Sequence, residues 1–530
     1  MVTQATDVLP ALAGRRTFPW FESAAGALCA AWAFAAWLTV IPNQDMLVDG
    51  TQVQRVLQDP QVVLAFPGQK HGGVLEYPYL LLSEALAPGN TYAHTALRIA
   101  FAFLTGFIVA RLFLRLFPGF PRWAFLGIIA VGPSMIHGLA GPPDNPVAVW
   151  WLVGNYDLAW LLVAAGALVL AGPGQLDGPG PTTRRALAAG LLVGLGIYAH
   201  PMILLLVAPL GVLVLLRRPA AIRKVLWVGA AVAVGMIPLG ISYFIYADLT
   251  TWDPSHFPVF DPNAARAVLG LNPDVGYVTS LLPLALGFST TPDIASPALQ
   301  GVVVLAVLAV ALVVVALGAW RSIVNRAWPG PGFAVAATWL TLALSLVVFS
   351  TMVNPVWLYA TGLAVLLWLT VGALPGLVPL KHLGSVAAVA AIVVAGLSTW
   401  THNYYWYSQF PSRVVAKADY MRSQENLAQA LEGAGVRMLY GSYYDVIPIG
   451  YASGSRLHYV TSTYNRFRLT TEEASADRIE VAVNTLPPET WGVEALAAVR
   501  AACTPTGTDI TYEEYAYSVF SCPRSFFTTA

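Results

Sequence analysis

The chain has 530 residues, of which 57% are hydrophobic and only 11% charged, with a mean hydropathy of +0.63. Its formal net charge is zero, which leaves no global field to draw in nucleic acid or another polyanion. Apolar runs too long for ordinary core helices recur along it, so the class is a polytopic α-helical membrane protein.

Arg15 and Arg16 precede an apolar run over about residues 21–41 that is long enough to span and has no clear small-residue cleavage site. It reads as a retained first span. Basic connections resist translocation, so placing them in the cytoplasm fixes a topology. The first span then leads outward and leaves residues 42–91 outside as a long first loop. Span two, about 92–114, returns to Arg111, Arg115 and Arg122, and span three, about 123–140, exits to GPPDNP. Span four, about 147–171, returns to Arg184 and Arg185. The next run, ALAAGLLVGLGIYAHPMILLLVAPLGVLVLL, has basic residues at both ends and reads as two short helices broken at His200-Pro201. Span seven, about 225–246, leads to an Asp- and Pro-rich outer loop, after which YVTSLLPLALGF reads as interfacial. Runs over 298–320, 332–352, 356–378 and 384–402 bring the count to about eleven spans in a membrane domain of residues 1–402. The amino terminus is expected in the cytoplasm and residues 403–530 outside it, in the plasma (inner) membrane of a cell with an envelope beyond.

The tail changes composition. ENLAQALEGAGVRMLYG reads as an amphipathic helix, a glycine stop and a strand, and YYDVIPIGYASGSRLHYVTS as a further helix and strand. With the β-rich runs RIEVAVNT and DITYEEYAYSVFSC, this is an extracytoplasmic α/β domain, large enough to hold its own core. Cys503 and Cys522 lie in it, with a disulfide and free thiols both open. No spacing resembles a zinc site.

Ionisable groups beside a bilayer are costly and tend to carry function. Asp45 follows the first span, and Asp49 precedes a short amphipathic stretch carrying Val53, Val56 and Leu57. Asp49 has the structural role of a helix N-cap open to it. Asp45 is therefore favoured as a catalytic base, with Asp49 the second choice. Further on, FPGQKHGGVLEYPYL puts Lys70 and His71 among three glycines, with Glu76 after them. Lys70 and His71 are donors suited to a phosphate or a sugar, although a surface turn whose Lys and His reach lipid head groups explains them as well. Arg98 could hold a phosphate or balance Glu84, and His200 could contact a phosphate or be a hydrogen-bonded core histidine. Asp144 in GPPDNP is an acidic candidate on the second outer loop, with an Asx-turn as its alternative. Asp157 could face a cavity or pair with His137 or Arg98. Tyr440, Tyr443, Tyr444, Tyr451 and Tyr459 could stack on sugars, but packing accounts for them more simply.

The order of these features resembles a bacterial, family-39-like branch of the GT-C integral membrane glycosyltransferases. That branch carries an acidic motif at the start of the first outer loop and a segment of the form F-Y-G-Q-x-x-x-G-x-L-E. Phe66, Gly68, Gln69, Gly73, Leu75 and Glu76 match the segment, Asp45 falls at the acidic position, and Gly50 and Arg55 fall near their counterparts. GLLVGLGIYAHP, GMIPLG and, in the tail, LYGSYYDVIPIGYASGSRLHY resemble further motifs of that branch. Met46 departs from the pattern at a position usually acidic, and His71-Gly72 replaces a more aromatic pair. The resemblance implies an inverting transfer of a sugar from a polyprenyl-phosphate donor to a cell-envelope glycan, lipid or protein acceptor. Asp45 would be the base, while Lys70, His71, Glu76, Arg98 and His200 would hold the donor. A divalent metal ion is compatible with this chemistry but not required, because basic side chains can neutralise the leaving phosphate. No nucleotide-binding fingerprint appears, which suits a lipid-linked donor. The alternative is a transporter or flippase of a lipid-linked or small substrate, which calls for paired interrupted segments and mid-membrane charges.

Overall fold

The computed structural model describes residues 19–42, 44–58, 74–116, 121–131, 154–170, 182–200, 222–245, 410–462, 475–487 and 490–528, together with Leu469 and Glu473. Two of the described helices are long and apolar enough to cross a membrane, Trp20–Thr39 (α1) and a stretch from Thr91 to Leu114. The second stretch comprises a short turn of helix, Thr91–Thr95 (α4), and a long one, Leu97–Leu116 (α5). The Asn90 side chain starts α4 by accepting from the Ala93 amide at 3.0 Å, which satisfies one of the donors a helix start leaves open. On α1, Phe21, Ala25, Cys29, Ala33 and Ala36 are buried at spacings of three and four, a stripe that packs on α5.

Between α1 and α4 lie two helices of the first loop, Gln44–Gln58 (α2) and Tyr77–Leu86 (α3). After α5 come Arg122–Val131 (α6), Gly154–Leu170 (α7) and Thr183–Ala199 (α8). As the proline at 201 demands, α8 stops at Ala199 and His200 is extended, with φ −155° and ψ 114°. The expected seventh span is instead two helices, Ile222–Gly235 (α9) and Ile237–Ile245 (α10), parted at Met236. Pro238 is the reason: it has no amide to give and its ring crowds the carbonyl one turn back. Gly190 and Gly194 let α8 and α9 touch backbone to backbone. A Cβ at either would come within 2.4 Å of a carbonyl oxygen, that of Val228 or of Val232. Spans and loops expected in residues 246–409 lie outside the described residues.

The carboxyl-terminal part begins with a long helix, Phe410–Gly433 (α11), followed by the strand Met438–Gly441 (β1), helix Tyr443–Ala452 (α12) and strand His458–Thr461 (β2). Strand Arg478–Asn484 (β3), helix Thr490–Ala502 (α13), strands Thr504–Tyr512 (β4) and Tyr515–Pro523 (β5) and a last turn, Arg524–Thr528 (α14), complete it. The sheet order is β2-β1-β3-β5-β4, parallel across β2, β1 and β3 and antiparallel across β3, β5 and β4. α12 starts on an N-cap serine: Ser442 Oγ accepts from the Asp445 amide and donates to the Asp445 carboxylate. Cys503 and Cys522 are bonded, their Cα atoms 4.4 Å apart at the β4–β5 pairing.

One face of the sheet packs Met438, Tyr440, Val481 and Phe520 beneath α13. The other face, with Leu439, Leu427, Leu431, Tyr443 and Tyr459, includes Leu47 and Val48 of α2 in the same buried cluster. The module, although long enough for a core of its own, therefore does not close that core alone. A helix from the first loop fills part of one layer.

Candidate functional site

α2 begins at Gln44, earlier than its hydrophobic pattern suggests, so Asp45 lies in its first turn and Asp49 in its interior. That corrects the reading of Asp49 as an N-cap. Asp49 is buried and accepts a hydrogen bond from the Tyr77 hydroxyl at 3.2 Å. Asp45 stands one turn earlier, at the helix end whose partial positive charge favours a carboxylate.

Residues 74–77, within the FPGQKHGGVLEYPYL segment, meet three elements at once. The Val74 amide donates to the Tyr198 hydroxyl at 3.3 Å, tying the segment to the end of α8, two residues before His200. Glu76 forms an ion pair with Arg98 of α5, both buried. Tyr77 reaches Asp49 on α2. Val53, Val74, Tyr77, Leu80, Tyr198 and Leu239 pack as one apolar cluster around this junction. Asp49, Glu76 and Arg98 are thus brought to one segment, and His200, itself buried, ends a helix that touches it.

Arg98 pairs with Glu76 and does not balance Glu84. Its Nε and Nη1 have no hydrogen-bond partner among the described residues, so donor capacity remains on a fixed guanidinium. Glu84 serves a different neighbourhood, described below. The side chains of Asp45 and Asp157, and the residues Lys70, His71, His137 and Asp144, lie outside what is described; Asp157 falls in the first turn of α7. Among the described residues no group of three or more His, Cys, Asp or Glu side chains gathers in a way that could hold a metal ion.

Sequence reasoning missed Tyr77 and Tyr198, the two hydroxyls that link the junction. Their signal was present: each adjoins a residue singled out for its charge, Glu76 and His200. The module's tyrosines resolve toward packing, with Tyr443, Tyr451 and Tyr459 at 2% exposure or less. Burial pushes the Tyr440 hydroxyl up to about 12 and raises those of Tyr451 and Tyr459 well above the usual tyrosine value, so all three stay protonated.

No protein-family model matches the chain, and neither does any curated protein. Among solved structures, ArnT from Cupriavidus metallidurans bound to undecaprenyl phosphate is similar at a TM-score of 0.53 and 11% identity, over 95% of this chain and 98% of that one. The same protein in its apo state gives a TM-score of 0.40 at 11% identity, over 94% and 98%. At that identity the likeness is one of fold. The chain has the fold seen in ArnT, and two of its described helices are long and apolar enough to cross a membrane.

Proposed function

We propose that the chain transfers a sugar from a polyprenyl-phosphate donor to a cell-envelope glycan, lipid or protein acceptor at the outer face of the membrane. The observation that carries this reading is the fold likeness to ArnT over 95% of the chain, in a structure that holds undecaprenyl phosphate. The junction at residues 74–77 adds local support, since it gathers a carboxylate-bearing helix and a guanidinium with donors to spare.

In this mechanism Asp45 takes the proton of the acceptor hydroxyl as its oxygen bonds to the anomeric carbon. The bond from that carbon to the phosphate oxygen breaks on the opposite side, and the configuration inverts. Polyprenyl phosphate leaves carrying the electron pair. Arg98, with Lys70, His71 and His200, meets the charge that grows on the phosphate, which lowers the barrier because the charge is larger in the transition state than in the bound donor. Glu76 orients Arg98. Asp49, buried and hydrogen-bonded, is the second candidate for the base. Residues 1–402 form the membrane domain of this reading, with the amino terminus cytoplasmic and the module from 403 outside.

The test is transfer of a radiolabelled sugar from a polyprenyl-phosphate donor by the reconstituted full chain. Asp45→Asn is expected to lower the rate at least about 100-fold while the protein still inserts and folds. Unchanged transfer in that variant removes the proposed base. Movement of intact lipid-linked sugar across the vesicle, with no transfer, would favour a flippase instead.

A further inference from the structure

Glu84 of α3 is buried at the meeting point of four chain segments. It accepts from Gln54 Nε2 of α2 at 2.7 Å, from the Tyr451 hydroxyl of α12 at 2.7 Å and from the Gly89 amide at 3.0 Å, and His94 Nδ1 lies 3.5 Å away. The contacts spread outward along α2. Gln54 also donates to the Tyr451 carbonyl at 3.3 Å and accepts from Ser455 Oγ at 2.9 Å, and Gln58 donates to the Ser455 carbonyl at 2.9 Å. Arg55 donates to the Tyr459 carbonyl at 2.5 Å with its guanidinium 5.0 Å from the Tyr459 ring centre. Gly50 is the seat for Tyr451: a Cβ there would fall 2.5 Å from the ring.

These partners are about 400 positions apart in sequence, yet they are the two sets of residues that the family resemblance picked out separately, Gly50 and Arg55 at one end and the GYASGSRLHY run at the other. They form one clasp. Its two halves grip successive turns of the helix that carries Asp45 in its first turn and Asp49 in its interior, while Leu47 and Val48 of that helix are built into the module's core. A helix held by its neighbours' core and by buried hydrogen bonds cannot slide without breaking them.

We infer that the carboxyl-terminal module fixes the position of the carboxylate-bearing helix, and that Glu84 and Tyr451 are positioning residues for sugar transfer. This rests on the function proposed above; the grip itself does not. Neither side chain needs to touch substrate. Their removal should cost turnover and leave donor binding alone.

The experiment uses the full chain in lipid nanodiscs with Tyr451→Phe, which deletes one hydroxyl, and Glu84→Gln, which keeps the shape and removes the charge. Hydrogen–deuterium exchange over residues 47–58 is expected to quicken about tenfold in both, with β1 and β3 still protected. Transfer from the polyprenyl-phosphate sugar is expected to show kcat down about tenfold at an unchanged donor KM. The double exchange Gln54→Glu with Glu84→Gln restores the pair in reverse and should recover part of both. Exchange rates unchanged across 47–58 overturn the clasp, whatever the activity does. Faster exchange with wild-type kcat overturns the positioning role. If wild-type protein transfers no sugar, the functional reading fails, and the exchange arm still decides whether the module holds α2. Should either variant fail to fold, Arg55→Lys, which keeps the charge and loses the fork of donors, carries the same comparison.

Discussion

Lys417 of α11 has no exposed surface, and its ammonium donates at 2.5 Å to the carbonyl of Trp37 in the last turn of α1, 4.4 Å from the centre of the Tyr92 ring. A cation at a helix's carboxyl end and over an aromatic face is favourably placed, yet burial still pushes its pKa down to about 8. In the unfolded chain the ordinary value, 10.5, returns. The unfolded state therefore binds more protons between pH 8 and 10.5, and stability should rise with pH across that window by at most about 1.4 kcal/mol per unit. Thermal unfolding in nanodiscs should show this rise in the wild type and not in Lys417→Met, and a matching rise in that variant would assign the effect elsewhere. Single residues were also where the sequence was least legible. Asp49 looked like a cap because the apolar pattern starts only at Val53, whereas the helix starts at Gln44 and its early turns are buried by a module nearly 400 residues later. The partner of Arg98 turned on which of two glutamates in one segment faces it, and spacing along a chain does not say that.

At the scale of elements the sequence was more informative. The two described long apolar helices fall where hydropathy puts them, and the helix break before Pro201 follows from proline chemistry. The helix–strand order of ENLAQALEGAGVRMLYG is also as read, because a glycine stop and a buried β-run are local signals. The kink at Met236 was not read, since the apolar run continues through it and only Pro238 marks it. Helix contacts were not readable at all, although their cause, small residues at a spacing of four, was in plain view on α8. Gly194→Val should lose about 1–3 kcal/mol, because the new Cβ meets the Val232 carbonyl and neither backbone can withdraw. Gly229→Ala, on α9 with nothing within 4 Å, is the control and should be neutral or slightly stabilising. Melting temperatures of the two variants in one lipid would separate steric contact from helix propensity; equal shifts would contradict the close approach.

Across the whole molecule, the Cys503–Cys522 bond and the proposed orientation make a joint prediction. Disulfides persist outside the reducing cytoplasm. In intact cells a membrane-impermeant maleimide should label both sulfurs only after a mild external reductant, and labelling that needs permeabilised cells would place the module on the other side. Replacing the pair by serines should cost about 2–4 kcal/mol, read as a lower melting temperature of the module. The arrangement of α1 against α11 and of α2 against α12 has a consequence for biosynthesis. What the ribosome makes first is finished by what it makes last. Until translation has passed Tyr459, the carboxylate of Glu84 lacks the Tyr451 hydroxyl, the guanidinium of Arg55 lacks the Tyr459 carbonyl, and Leu47 and Val48 lack the module residues they pack with. A polypeptide stopped short would present raw charges and bare apolar surface at the membrane rim, features by which quality-control proteases can tell it from the complete product.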